Sequence, residues 1–126
     1  MKSKFTAKES TVLKGVWELS SSISDDKRGY IWTSFDKNLK KILPNEISFK
    51  HDKFSVSKQN VLRGIHGDNK SWKLVSCVYG EIMQVVVDLR KDSKTYLKWQ
   101  SFDLKGSRNN LVLIPPNMGN AFYVRS

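Results

Sequence analysis

The chain has 126 residues, one domain's worth on a prior of roughly 100–200 residues per domain, which excludes an enzyme with separate cofactor and substrate domains. Apolar residues make up 39% and charged residues 27%, with 7 Gly and 3 Pro, so the chain is neither disordered nor collagenous. Lys and Arg number 22 against 12 Asp and Glu, and the resulting +10 favours a polyanionic partner: nucleic acid, an acidic membrane surface or a phosphorylated metabolite.

Residues 1–8 carry lysines with no apolar stretch of signal-peptide length behind them, and no run elsewhere approaches the roughly 20 apolar residues that span a bilayer. The expected location is the cytoplasm. Strands are expected over 12–23 and 30–35, then a helix over 36–43 with Asp36 as its cap and Pro44 as its stop. Strands follow over 46–57, 60–65 and 72–79. In 81–90, strict alternation puts Met83, Val85, Val87 and Leu89 on one face and Ile82, Gln84, Val86, Asp88 and Arg90 on the other, a strand with an apolar outer face and a mixed inner one. Residues 96–104 alternate again, 111–114 stop at Pro115-Pro116, and the last residues read as a strand cut short. The pattern predicts a single all-β domain over 1–126, a jelly-roll barrel or sandwich with one short helix, incomplete at its C-terminus.

Cys77 is the one cysteine, so no internal disulfide forms, and with only His51 and His66 a multi-histidine metal site cannot be built. His66 ends an alternating stretch inside Arg63-Gly64-Ile65-His66-Gly67-Asp68, where glycines allow a ligand close approach and an imidazole suits general-base work. Arg63, Lys73, Gln84 and Asp88 fall on strand segments that a period-two reading turns into one interior. Buried charges need partners or a ligand, and a cationic pocket holding one base suits an anionic carbon acid.

These stretches carry a resemblance. Residues 26–30, 54–57 leading into Val61-Leu62-Arg63-Gly64-Ile65-His66, then Lys73-Leu74-Val75, Gly80-Glu81, Val87-Asp88-Leu89-Arg90 and 114–122 stand in the order found in the dTDP-4-dehydrorhamnose 3,5-epimerase family. The resemblance implies a cupin-type jelly roll acting on a nucleotide-diphosphate sugar, with neither a redox cofactor nor a metal. It implies His66 as the base that removes a proton beside a C4 ketone, Lys73 as the cation at the enolate oxygen and Asp88 as a pocket acid beside Lys73. It assigns Arg63 and Arg28 to the diphosphate and sugar, and implies a homodimer that exchanges N-terminal strands, through which Arg28 reaches the neighbouring site.

Departures from the family pattern bear on specificity. Asn120 stands where the family has a pocket histidine, and the family's catalytic tyrosine and the aspartate partner of its histidine fall beyond residue 126. Thr33, His51 and Lys53 replace a glutamate, a glutamine and an asparagine on elements that meet the nucleotide, and Gly67-Asp68 replaces Tyr-Gln. These changes suggest a base other than thymine, with a GDP-linked 4-keto heptose as one expectation for surface-polysaccharide synthesis. Three competing readings remain: a sugar-nucleotide 3,4-ketoisomerase, disfavoured because Asp68 occupies the place of a second histidine; a basic β-barrel binding nucleic acid through Trp17, Trp32, Trp72 or Trp99; and a cupin that binds a nucleotide sugar without turnover.

Overall fold

The computed structural model describes residues 4–126. Ten strands and one helix run in the order β1 (Phe5–Glu9), β2 (Trp17–Ser21), β3 (Ile23–Asp26), β4 (Gly29–Trp32), α1 (Lys37–Ile42), β5 (Leu62–His66), β6 (Lys73–Ser76), β7 (Glu81–Asp88), β8 (Trp99–Lys105), β9 (Asn110–Ile114) and β10 (Met118–Val124). All pairings are antiparallel, in one sheet ordered β1-β2-β9-β6, a second ordered β5-β10-β7-β8, and a separate β3-β4 hairpin. The expected all-β sandwich with one short helix is what forms. None of the helices is long and apolar enough to cross a membrane among the described residues.

β9 explains the layering, because every one of its residues is buried. Val112 and Ile114 pack toward the second sheet, against Val86, Phe102, Leu104 and Met118. Leu111 and Leu113 face the other way and join Leu19, Leu39, Leu43 and Ile47. The first sheet is therefore a middle layer, with α1 and the turn after it as its outer cover. Burying each such Leu or Ile side chain stabilises the fold by about 1.5–3 kcal/mol. The helix begins where the sequence places it: the Asp36 carboxylate accepts from the amides of Asn38 at 2.8 Å and Leu39 at 3.2 Å, satisfying donors that a first helical turn leaves open. It ends as Leu43 turns extended ahead of Pro44.

β7 shows the expected alternation, with Gln84, Val86 and Asp88 buried and Met83, Val85 and Val87 partly exposed. Two expectations fail. The 12–23 stretch is not one strand, since a turn through Gly15 precedes β2, and β1 forms from the polar Phe5-Thr6-Ala7-Lys8-Glu9 by pairing with β2. Among the described residues the 46–57 stretch has no ladder neighbour and is not a strand; Phe54 is 82% and Val56 96% exposed. Alternating residues supply a face, but a strand also needs another backbone beside it.

Candidate active site

β5 is an edge strand of the second sheet and β6 an edge strand of the first, so the 67–72 link crosses from one sheet to the other where they part. His66 ends β5 and Lys73 begins β6. Lys73 lies opposite Ile114, whose side chain packs between the sheets, so the lysine stands on the inner side as well.

Arg63 and His66 are three residues apart, and strict alternation sends them to opposite faces. The ladder corrects this. His66 lies opposite Asn120 and Arg63 opposite Phe122, so three steps along β5 answer two along β10, which is a β-bulge. Residues directly opposite in an antiparallel pair share a face, so the bulge brings Arg63 and His66 together. Gly64 makes it possible: its φ is +133°, and a Cβ there would lie 2.4 Å from the Ala121 Cβ and 2.7 Å from its Cα. The inner face thus carries one row of His66, Asn120 and Val86 and a second of Arg63, Phe122 and Gln84.

Hydrogen bonds tie the rows together. The Asn120 side-chain nitrogen donates to the His66 carbonyl at 3.0 Å, and the Gln84 side-chain nitrogen donates to Asn120 Oδ1 at 3.3 Å. Arg63 Nε donates to Ser57 Oγ at 2.8 Å, and both Arg63 and His66 are exposed. At the rim, the Asp68 carboxylate accepts from the Lys70 and Ser71 amides at 2.8 and 2.6 Å and lies 3.5 Å from Lys73 Nζ. Those two amides, with Lys73 adding to them, lower the Asp68 pKa from the ordinary 3.8 to about 2. The Asp68 carbonyl accepts from Asn117 N at 2.8 Å, which pins the rim to the turn before β10.

The pairing of Asp88 with Lys73 is not what forms. Asp88 lies opposite Met118, and the chain after β7 curls back over it. Its carboxylate accepts five hydrogen bonds: from Arg90 N at 2.9 Å, Arg90 Nε at 3.0 Å, Arg90 Nη2 at 3.1 Å, Ser93 Oγ at 2.7 Å and Thr95 Oγ1 at 2.6 Å. Burial raises its pKa, but the Arg90 guanidinium and the two hydroxyls outweigh that and hold it well below the usual carboxylate range. Asp88 is a loop anchor. The lysine's carboxylate partner is Asp68, and the polar side chain of β7 that reaches the site is Gln84. Sequence reasoning placed Gln84 inward without giving it a role, although a buried amide between apolar neighbours is itself a signal.

The other expected residues stand apart from this cluster. Arg28 is exposed at the tip of the β3-β4 hairpin and pairs with Asp26 at 2.7 Å. His51 and Lys53 are exposed on the unpaired 48–58 stretch, and Thr33 is half-buried between β4 and α1. Among the described residues, no hydrogen bond or ion pair joins these four to His66 or Lys73, and no three His, Cys, Asp or Glu side chains gather as a metal site. An apolar hollow of about 180 Å³, lined by Ile65, Val85, Val87 and Trp99 among others, lies on the opposite face of the second sheet.

The family model described as dTDP-4-dehydrorhamnose 3,5-epimerase matches residues 10–126. The chain is 32% identical over 120 residues to the dTDP-4-dehydrorhamnose 3,5-epimerase of Salmonella typhimurium, covering 92% of this chain and 66% of the relative. It is 33% identical over 120 residues to that of Escherichia coli, covering 92% and 65%. It therefore spans just under two thirds of the length of these curated relatives. Among solved structures, the dTDP-6-deoxy-D-glucose-3,5-epimerase of Legionella pneumophila, in complex with dTDP-4-keto-L-rhamnose, superposes with a TM-score of 0.90 at 31% identity, over 98% of this chain and 66% of that one. A 4-keto-6-deoxy sugar epimerase from the novobiocin gene cluster of Streptomyces spheroides gives 0.88 at 28% identity, over 98% and 63%. With the family model matched across nearly the whole chain and the fold shared with solved members, the chain belongs to the dTDP-4-dehydrorhamnose 3,5-epimerase family.

Proposed function

We propose that the chain serves a cytoplasmic epimerase of nucleotide-activated 4-keto sugars, in the supply of deoxy-sugars or heptoses for surface polysaccharide. The observation that carries this reading is the bulge at Gly64, which puts an imidazole and a guanidinium on one open inner face with a lysine at its rim. A C4 ketone acidifies the hydrogens on C3 and C5. The His66 imidazole takes one of them, and the C–H electron pair moves into the ketone to give an enolate. The Lys73 ammonium stabilises the developing oxyanion, which a fixed charge does well where water is scarce. Return of the proton from His66 restores the starting carbon; inversion takes a proton from a separate donor, an acid or water on the opposite face of the enolate, while His66 gives its own proton to solvent. Arg63 suits the diphosphate, because its planar fork takes two phosphate oxygens at once.

The protein acts as a homodimer on this reading. The β3-β4 hairpin and the 48–58 stretch, with Ile31, Phe54 and Val56 exposed, have no sheet neighbour in the protomer, and exchange between copies gives them one. The same exchange carries Arg28, Thr33, His51 and Lys53 toward a neighbouring site, where the last three select the base. Sedimentation at micromolar concentration tests the dimer, and a monomer there removes these four residues from the site.

Exchange of carbon-bound hydrogen with solvent needs only the base. Mass spectrometry of GDP- and dTDP-linked 4-keto sugars incubated in deuterated water with the chain and its His66→Asn variant is therefore the direct test. Gain of one deuteron marks one activated carbon and gain of two marks both C3 and C5; the substitution abolishes either. A protein that binds these sugars and exchanges none supports binding without turnover, the second reading, which the neutral Asn120 favours.

A further inference from the structure

We propose that Gln84 is a positioning residue: acting through Asn120, it sets which end of that amide faces a bound sugar beside His66, so that the site presents an uncharged N–H donor. The inference rests on the sugar-nucleotide reading for what is bound, and on hydrogen-bond geometry alone for the role of Gln84.

The two ends of a side-chain amide are told apart by what they touch. The His66 carbonyl can only accept, so the end of Asn120 that meets it, 3.0 Å away, is the nitrogen. Asn120 Oδ1 is then turned the other way, toward Gln84, and an acceptor there requires a donor, so Gln84 must offer its own nitrogen, at 3.3 Å. The His66 carbonyl at one end and the Gln84 nitrogen at the other thus hold the direction of the Asn120 amide between them. The consequence is visible at the inner end, where Gln84 Oε1 is buried with no hydrogen-bond partner among the described residues. Gln84 is 0% exposed, whereas His66 is exposed and Asn120 half-buried. The oxygen end of Asn120 therefore points into the core and the nitrogen end toward the open face. Its nitrogen carries two hydrogens, of which His66 takes one.

The second hydrogen suits an acceptor oxygen of the sugar: a hydroxyl, a ring oxygen, or the C4 oxygen as it gains charge. Such a donor is neutral and does not titrate, unlike an imidazole in the same place. An unsatisfied buried acceptor destabilises a fold, and here it accompanies a fixed donor polarity at the site.

The test uses Gln84→Glu and Gln84→Met. An ionised carboxylate cannot donate to Asn120 Oδ1, so Gln84→Glu reverses the Asn120 amide; once protonated, the carboxyl donates again. With dTDP-4-keto-6-deoxyglucose as probe, the deuterium-exchange rate of Gln84→Glu relative to the unmodified chain is expected to fall at least tenfold at pH 8 and to recover as pH is lowered. Gln84→Met is expected to lose roughly three- to tenfold at every pH, because it offers no donor in any state. Equal, pH-independent ratios for the two variants would overturn the proposal. The second readout needs no activity: in the ligand-free protein, the nitrogen–hydrogen resonances of the Asn120 side chain are expected to show one hydrogen protected by the His66 carbonyl, with that protection lost in Gln84→Met. Unchanged protection would overturn the proposal even if exchange activity fell. If the unmodified chain exchanges no deuterium on any sugar, the epimerase reading fails, and the amide spectrum still decides for or against Gln84.

Discussion

Gln84 and Asp88 lie four residues apart on the inner face of one strand, and both are wholly hidden from water. Among the described residues, the Asp88 carboxylate accepts five hydrogen bonds from the loop that folds over it, whereas the Gln84 side chain makes a single one and leaves its oxygen unpartnered. Burial alone does not separate structure from function; satisfaction does. A buried polar group whose every lone pair is used holds the chain in place. One left half-used, with its only bond leading toward an open face, answers to something other than stability.

Opposite responses to substitution test that difference most directly. Asp88→Ala removes the anchor of the 90–97 turn and the buried partner of Arg90, and is expected to destabilise the fold by about 3 kcal/mol, read as a lower urea midpoint. Gln84→Met removes a half-satisfied amide while keeping its volume, and is expected to leave the midpoint within about 1 kcal/mol of the unmodified chain or to raise it. Two similar losses would erase the contrast. Next in size is Gly64→Ala. A φ of +133° and a Cβ in collision with Ala121 make it costly, by about 1–3 kcal/mol. Relief of that collision requires the bulge to shift, and a one-residue slip turns His66 out of the inner face. Titration with a nucleotide diphosphate sugar should therefore show weaker binding in the fraction that stays folded.

The same contrast shows how far the sequence could be read. The inward facing of Gln84, Val86 and Asp88 was legible, because alternation over eight residues in a strand with one packed face is decided locally. The helix was legible from Asp36 and Pro44 for the same reason. What Asp88 touches was not, since its partners Ser93 and Thr95 come from a turn whose path depends on where the sheet ends. The sequence reading turned Arg63 toward the interior as company for His66 without saying how residues three apart share a face; only the ladder with β10 reveals the bulge, and the glycine between them was the available signal. The 46–57 stretch alternates well enough to read as a strand, yet nothing in its own residues says that no backbone lies beside it among the described residues. Local chemistry was readable and nonlocal pairing was not.

Smaller effects sharpen the comparison with carboxylates nearer the surface, half-buried Asp36 and exposed Asp68. Asp36→Ala removes the cap of a helix only six residues long and is expected to cost about 1 kcal/mol, measured by urea unfolding.

Asp68 gives the smallest effect and is best seen through pH. Like Asp88 it has a lowered pKa, but it is exposed, and the main cause is the pair of amides from Lys70 and Ser71 rather than a buried cage. A carboxylate with a depressed folded pKa adds stability above its unfolded value near 3.8 and loses it as pH falls through about 2. The unmodified chain should therefore lose stability between pH 4 and pH 2 more steeply than Asp68→Asn, with the two curves running parallel above pH 5. Because the group is in water, salt screens its attraction to Lys73. The part of the difference that 0.5 M salt removes belongs to the ion pair, and the part that survives belongs to the two amides that close the turn between β5 and β6.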